Sequence, residues 1–519
     1  MPTSEVRATQ NGISAAQKDL SGRWSGLLFL LCASGLAVRL WHLTSKPFWF
    51  DECFSVELAR LNWGSFLRVL WWREANMSLY YFLLRGWLHF GQTEFFIRSF
   101  SALIGAVTIP AIYWLAKLLY DRRVAIVSAG LFAFNAYNVR YSQEARSYSL
   151  FVLLATLSSG FLILCLREPK RRALAGYIVT SILAVYAHFY ALLLLAAQWL
   201  MLRWARPGGA DKSISASSGN LRRAWRLIAL GLFPLLIFVA KTGAGPIHWI
   251  HRPGFHDLLV FWQQISGGSG WMLPLILLAA CAAATAPVRK NLLARDGVWD
   301  DWRCQFLLAW LLFPVLLTVF LSFLRPVFLV RFLIFCQPAM IVLAAAGLVR
   351  IRRTWLLIPV LSAILLFSLQ GIFFVYAHDY DDQRDGTGAA VDFILDHSAP
   401  GDGIIFHIAE ARVPYEFFRS ERAGQNTASK SYAGQLGPEI LFPHEGNGLD
   451  YSDFKAKVVP EILESEISRH SRVWVMFLYN EAGGAKRTTV LLQRMLPQQL
   501  PREQCWEFPK VQVCLYSRE

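Results

Sequence analysis

Pro47-Phe48-Trp49-Phe50-Asp51-Glu52 places two adjacent carboxylates just past a long apolar run, behind aromatic side chains that favour a membrane interface. Carboxylates beside hydrocarbon are costly, and the chemistry that suits them there is proton transfer or cation handling. One reading makes Asp51, with its neighbour Glu52, a general base facing a membrane-embedded cavity. The plainer one makes Asp51 the cap of an interfacial helix that begins near Cys53.

Four further clusters carry groups of the same kind. Arg73-Glu74-Ala75-Asn76-Met77-Ser78-Leu79-Tyr80-Tyr81 sets the carboxylate of Glu74 and an amide before a second amphipathic segment. Asn138 to Tyr148 packs Arg140, Tyr141, Glu144 and Arg146 into one short connection between apolar runs. A tight turn needs polar residues but not two arginines and a glutamate, and guanidinium groups match phosphate geometry. The alternative is an internal ion pair that locks two helices. Arg325 and Arg331 flank the start of another apolar run, where Arg331 suits the grip of a lipid phosphate. His248, His251 and His256 stand in one loop, with Glu74 as a further candidate ligand. A divalent metal on His248 and His251 is one reading of that loop, and an interfacial His and Trp cluster is the other.

The elements that must position these groups are mostly membrane spans. The chain has 519 residues, of which 55% are hydrophobic and 17% charged. That balance excludes an ordinary soluble domain. The net charge of +15 sits in loops beside apolar runs, which excludes nucleic-acid binding as its purpose. Apolar runs fall near 24–43, 96–118, 124–138, 147–166, 174–187, 190–204, 225–241, 271–286, 305–323, 328–349 and 355–376. These predict about eleven transmembrane helices, the first an uncleaved anchor. Asp121 to Arg123, Arg167 to Arg172, Arg203 to Arg226, Arg289 to Arg303 and Arg350 to Arg353 form basic loops. Placing them inside puts the N-terminal tail, 1–23, in the cytoplasm and Asp51 outside. Phe54 to Trp72 and Leu79 to Phe90 are amphipathic and short, which predicts helices lying in the interface of the first outer loop.

Residues 24–376 therefore form one membrane domain, and 377–519 a small extracytoplasmic α/β domain. In the latter, Gly403 to His407 and Val473 to Leu478 read as buried strands, and 386–397, 452–469 and 486–496 as helices. Cys505 and Cys514 both fall there, where a disulfide can form, although spacing does not decide the pairing. No Gly-rich phosphate loop of the nucleotide-binding kind is present.

Several of these motifs resemble one family. The acidic pair after the first run, Glu74-Ala75-Asn76-Met77-Ser78-Leu79-Tyr80-Tyr81, Arg98 to Gly105 and above all Tyr141-Ser142-Gln143-Glu144-Ala145-Arg146-Ser147-Tyr148 resemble bacterial relatives of protein O-mannosyltransferases and aminoarabinose transferases. The resemblance covers about residues 24–375. It implies the GT-C fold: a polytopic α-helical bundle, interface helices in the first outer loop and a cavity at the outer face. It implies transfer of a hexosyl or pentosyl group from a polyprenyl-phosphate sugar at the outer face of the cytoplasmic membrane. The acceptor would be a protein, a lipid or an envelope glycan. Asp51 maps onto the catalytic carboxylate, and Glu74 onto an acid near the lipid phosphate. The lipid-linked sugar would be substrate rather than cofactor. This chain has Phe54 and Ala75 where the aminoarabinose branch carries Arg and Lys. It has Asn76-Met77-Ser78 where many broader members carry His-Pro-Pro.

Two rival classes remain at the sequence level. A polyprenyl-lipid transporter or flippase also suits intramembrane charge, but no inverted repeat or matched pair of broken helices is visible. A scaffold would make Asp51 and Glu144 dispensable.

Overall fold

The computed structural model describes residues 3–168, 170–204, 212–242, 250–286, 297–378, 386–408, 411–426, 437–443, 460–478 and 485–518. The chain forms two compact units. One comprises Met1–Leu43 and Phe95–His378, the other Thr44–Glu94 and Asp379–Glu519. Residues 44–94 thus group with the C-terminal residues.

The described residues of the first unit form helices and their connections. Among the described residues, six segments are long and apolar enough to cross a bilayer: Gly22–Leu40, Glu94–Leu119, Tyr148–Arg167, Trp302–Leu324, Val330–Val349 and Thr354–Ala377. Gly219–Gly231 and Phe233–Lys241, bent by 42°, make a seventh if taken as one span. The break falls where Gly231 ends one helix and Pro234 opens the next. These seven lie on seven of the apolar runs. The other four runs are helical but shorter. Arg171–Ala187, Ala191–Trp204 and Met272–Thr285 are single helices of 17, 14 and 14 residues. The run at 124–138 is divided into Arg122–Ala133 and Ala136–Ser142, because Asn135 turns its side chain back to accept from the Asn138 N–H at 3.1 Å.

The outer faces of these helices are apolar and uncovered, with Phe29, Phe320, Phe323, Leu366 and Phe373 all exposed. Apolar side chains in such number suit contact with lipid rather than water. Val330–Val349 is the central element and is buried almost throughout. Polar groups inside the bundle satisfy one another. Arg39 donates to Gly35 O at 2.9 Å, to Ala133 O at 3.0 Å and to Ser142 Oγ at 3.2 Å. Tyr177, Gln198, Ser158, Ser159 and Ser181 form a second buried network.

The second unit holds a five-stranded mixed sheet in the order β2-β1-β3-β5-β4. Its strands are β1 Gly403–Phe406, β2 Glu439–Phe442, β3 Arg472–Leu478, β4 Arg502–Phe508 and β5 Val511–Ser517. β1 pairs in parallel with β2 and β3, while β5 runs antiparallel to β3 and β4. Period-two alternation sends Val473, Val475 and Phe477 into one core and Trp474, Met476 and Leu478 into the other. Because both faces are covered, β3 reads in sequence as a continuous apolar run. Cys505 and Cys514 stand opposite each other on β4 and β5 and are joined by a disulfide.

Helices Thr387–His397, Pro460–Ser468 and Ala485–Gln499 fall on the expected segments, and residues 452–459 lie outside the described residues. Arg412–Asn426 is a further helix that the sequence reading did not anticipate. The interface helices also differ from expectation. Three are present, Phe50–Arg60, Trp63–Trp72 and Ser78–Trp87. The first pair is separated at Asn62, whose side chain accepts from the Ser65 N–H at 2.9 Å and starts a new helix.

Candidate active site

Asp51 and Glu52 occupy the first turn of helix Phe50–Arg60. The N-cap is Trp49, and its side chain makes no capping bond, so capping is not the role of Asp51. Both carboxylates sit where the helix dipole favours negative charge. Glu52 is fully buried and Asp51 half-buried, so of the pair Asp51 is the accessible one. The Asp51 carbonyl accepts from Ser55 Oγ at 2.8 Å.

This helix is fastened at both ends. At its start, Phe48 stacks on Phe417, and Phe50 packs against the sheet core that contains Trp474 and Met476. At its end, Arg60 pairs with Glu57 and with Glu421, each at 3.0 Å. Arg85 donates to Ala59 O at 2.8 Å and to Leu61 O, with its guanidinium 4.2 Å above the Trp63 ring. Glu74 is half-buried just past helix Trp63–Trp72, and its N–H donates to Val69 O at 3.0 Å. Met77 follows with φ of 67°, a left-handed conformation that is costly for a side chain and turns the chain into helix Ser78–Trp87.

The tyrosine-rich segment lies in the other unit. Tyr141 lies in the last turn of the short helix Ala136–Ser142, and Tyr148 opens helix Tyr148–Arg167. Their rings meet edge-on at 4.8 Å. Tyr141, Glu144 and Arg146 are all buried. Arg140 Nε lies 3.8 Å from Glu144 Oε1, so an ion pair does join these residues, and the Arg140 guanidinium stands 5.1 Å from the Tyr141 ring. Ser101 Oγ donates to the Arg146 carbonyl at 3.3 Å. Gly105 lets the two helices approach: a Cβ there would lie 2.3 Å from Ser142 Oγ.

Arg331 is half-buried in the 3-10 segment Val330–Cys336. The segments of Arg331 and Arg146 both reach the buried ring of His188, through Phe332 at 4.8 Å and Tyr148 at 6.3 Å. Sequence reading missed His188. The signal was a single titratable group in the short connection Ala187-His188-Phe189-Tyr190 between two apolar runs. Asp51, Glu52 and Glu74 belong to one unit, and Tyr141, Glu144, Arg146, His188 and Arg331 to the other.

Of the histidine loop, His248 lies outside the described residues. His251 is exposed and its Nε2 lies 3.4 Å from Asp257 Oδ1. Among the described residues, the group with metal-ligand proximity is Glu503, Cys505 and Cys514, and there the two sulfurs are joined to each other.

Comparison with known proteins agrees with this architecture. Residues 78–215, which include the tyrosine segment and His188, match the family model of dolichyl-phosphate-mannose-protein mannosyltransferases. No curated protein sequence matches the chain. Among solved structures, ArnT from Cupriavidus metallidurans in the apo state is similar over 95% of this chain and 98% of its own, with TM-score 0.61 and 12% identity. The same protein bound to undecaprenyl phosphate aligns with TM-score 0.55. The Archaeoglobus fulgidus oligosaccharyltransferase in complex with Zn and sulfate aligns over 89% of this chain and 69% of its own, with TM-score 0.53 and 10% identity. The chain thus shares the fold of ArnT, and its residues 78–215 match the family model of dolichyl-phosphate-mannose-protein mannosyltransferases.

Proposed function

We propose that the protein transfers a hexosyl or pentosyl group from a polyprenyl-phosphate donor to an acceptor hydroxyl at the outer face of the cytoplasmic membrane. One observation carries the reading. A chain with end-to-end GT-C architecture holds a carboxylate pair in the first turn of an anchored helix, with Asp51 the accessible member. Asp51 takes the proton of the acceptor hydroxyl as its oxygen attacks the glycosidic carbon. The bond from that carbon to the phosphate oxygen breaks, and the polyprenyl phosphate leaves with the electron pair, giving inversion. Arg146 and Arg331 hold the phosphate and stabilise the charge that develops on it. Glu52, buried beside Asp51, keeps the helix start acidic, while Tyr141, Glu144 and Glu74 shape the donor site. Energy is stored in the activated sugar, so the reaction needs no nucleotide. Any divalent metal would fall to the loop of His248 and His251. The N-terminus is cytoplasmic and the C-terminal domain extracytoplasmic in this reading.

The test is sugar transfer by purified protein in lipid, using a panel of radiolabelled polyprenyl-phosphate sugars and an envelope acceptor fraction. Wild type should move label and Asp51→Asn should not. Equal transfer by both proteins would reject Asp51 as the base. Absence of transfer together with donor-lipid flipping would favour the transporter reading.

A further inference from the structure

His188 ends helix Arg171–Ala187 and is 1% exposed. Its ring is held rigidly. It stacks on Phe151 at 5.0 Å with 9° between planes, and Phe332 and Tyr190 close on it at 4.8 and 5.4 Å. Tyr190 in turn reaches the strand of chain that carries Arg331: its hydroxyl donates to Val327 O, and its ring meets Phe332 at 5.1 Å. On the other side, the Tyr148 ring lies 6.3 Å away. The imidazole is therefore wedged between the segment of Arg146 and the segment of Arg331.

Its hydrogen bonding defines the tautomer. His188 Nδ1 accepts from the Tyr190 N–H at 3.2 Å, which requires a lone pair on Nδ1 and puts the proton of a neutral ring on Nε2. That buried Nε2–H has no hydrogen-bond partner among the described residues. A buried donor left unmade is costly, and native structures rarely keep one without a purpose. The residues in contact with this ring, Tyr148 and Phe332, stand two and one positions after Arg146 and Arg331, whose guanidinium groups donate and never accept. A ligand that completes the Nε2–H bond must bring acceptors and tolerate two cations. A phosphate group does both.

We propose that His188, through Nε2–H, is a third ligand of the lipid phosphate that Arg146 and Arg331 hold. The assignment rests on the donor-transfer reading and adds a residue to it. His188 fixes the phosphate oxygen that becomes more negative as the sugar departs, without donating its proton to it.

Two substitutions separate this role from a merely structural one. Gln carries an amide N–H close to the Nε2 position and loses the Nδ1 acceptor. Asn keeps an acceptor for the Tyr190 N–H and loses the distal donor. Undecaprenyl phosphate binding is measured for full-length protein in nanodiscs, with phosphatidate and inorganic phosphate as competitors. The expected result is affinity in His188→Asn reduced about 10- to 100-fold, the range for a hydrogen bond to a charged group, with His188→Gln clearly tighter than His188→Asn. Asn binding as tightly as Gln, or more tightly, overturns the proposal, because His188 would then only pin its loop. Competition by phosphatidate or inorganic phosphate as effective as that by undecaprenyl phosphate overturns the isoprenoid assignment. Wild type that fails to bind undecaprenyl phosphate defeats the functional reading as well, so the two failures are distinguishable. A readout without substitution uses protein labelled with 15N-histidine. Undecaprenyl phosphate should shift the His188 Nε2–H resonance, and an unmoved resonance counts against the contact.

Discussion

Phe48 stacks on Phe417, their ring centroids 5.1 Å apart and their planes 17° from parallel. Phe48 stands just before the helix of Asp51, and Phe417 lies on helix Arg412–Asn426 near the C-terminal sheet. Both rings are fully buried. Truncating a buried Phe to Ala costs about 3–5 kcal/mol, so Phe417→Ala should lower the unfolding temperature of this unit. It should also slow sugar transfer, since the start of the Asp51 helix loses its seat. In a double-mutant cycle with Phe48→Ala, a coupling of about 0.5–1.5 kcal/mol is expected. Strict additivity would show that the stack does not position the helix.

Arg60 and Glu421 join the other end of the same helix to Arg412–Asn426, but both side chains are partly exposed. Such pairs contribute about 1 kcal/mol or less. Glu421→Gln should therefore shift stability by no more than that and leave transfer near the wild-type rate. A loss comparable to that of Phe417→Ala would mean that charge, not ring packing, seats the helix.

His407 gives the C-terminal unit a dependence on pH. Burial pushes its imidazole down to about 4 from the usual 6.5. Above the ordinary value both folded and unfolded forms are neutral, and the full stability is present. As pH falls from about 6.5 to about 4, the unfolded chain takes up a proton that the folded one refuses, so stability declines by up to about 3 kcal/mol. The Leu478 N–H donates to His407 Nδ1 at 3.1 Å, which makes its hydrogen exchange a direct reporter. Protection at Leu478, corrected for intrinsic exchange, should drop over this window. A flat profile from pH 7 to 4 would refute the link.

Gly347 sits where helix Gln337–Val349 crosses Met272–Thr285. A Cβ on it would lie 1.8 Å from the Ala280 carbonyl oxygen, and backbone on a packed helix cannot yield cheaply. Gly347→Ala should destabilise the bundle by about 1–3 kcal/mol, read as earlier thermal aggregation in detergent. Gly26→Ala, with nothing within 4 Å of the added methyl, serves as the control and should not aggregate earlier. Equal behaviour of the two variants would mean that the helices separate to accommodate the methyl.

Much of the architecture was legible along the chain. Apolar length marked Glu94–Leu119, Tyr148–Arg167 and Thr354–Ala377 within a few residues, because a helix that crosses hydrocarbon must be both long and apolar. The strands Gly403–Phe406 and Arg472–Leu478 showed as short apolar runs because both faces of their sheet are covered. Density of charge in a short connection singled out Arg140, Glu144 and Arg146, although whether it marked an ion pair or a ligand site was open. Strands β4 and β5 escaped, since β4 is largely exposed and lacks an apolar pattern. His188 escaped because a lone histidine between two spans has no distinctive neighbours in sequence.

The sequence by itself determined where hydrocarbon-length helices form, where the chain turns to a soluble α/β pattern, and which residue types stand beside the first span. Those properties depend on local composition and period, which neighbouring residues carry together. Only the tertiary structure decided that the Asp51 helix is seated by Phe417, with Arg60 reaching Ser420 across 360 positions of chain. It alone decided that His188 packs between the segments of Arg146 and Arg331. Such contacts follow from shape and charge matching between distant segments, and each partner is an ordinary residue until folding brings it to the other.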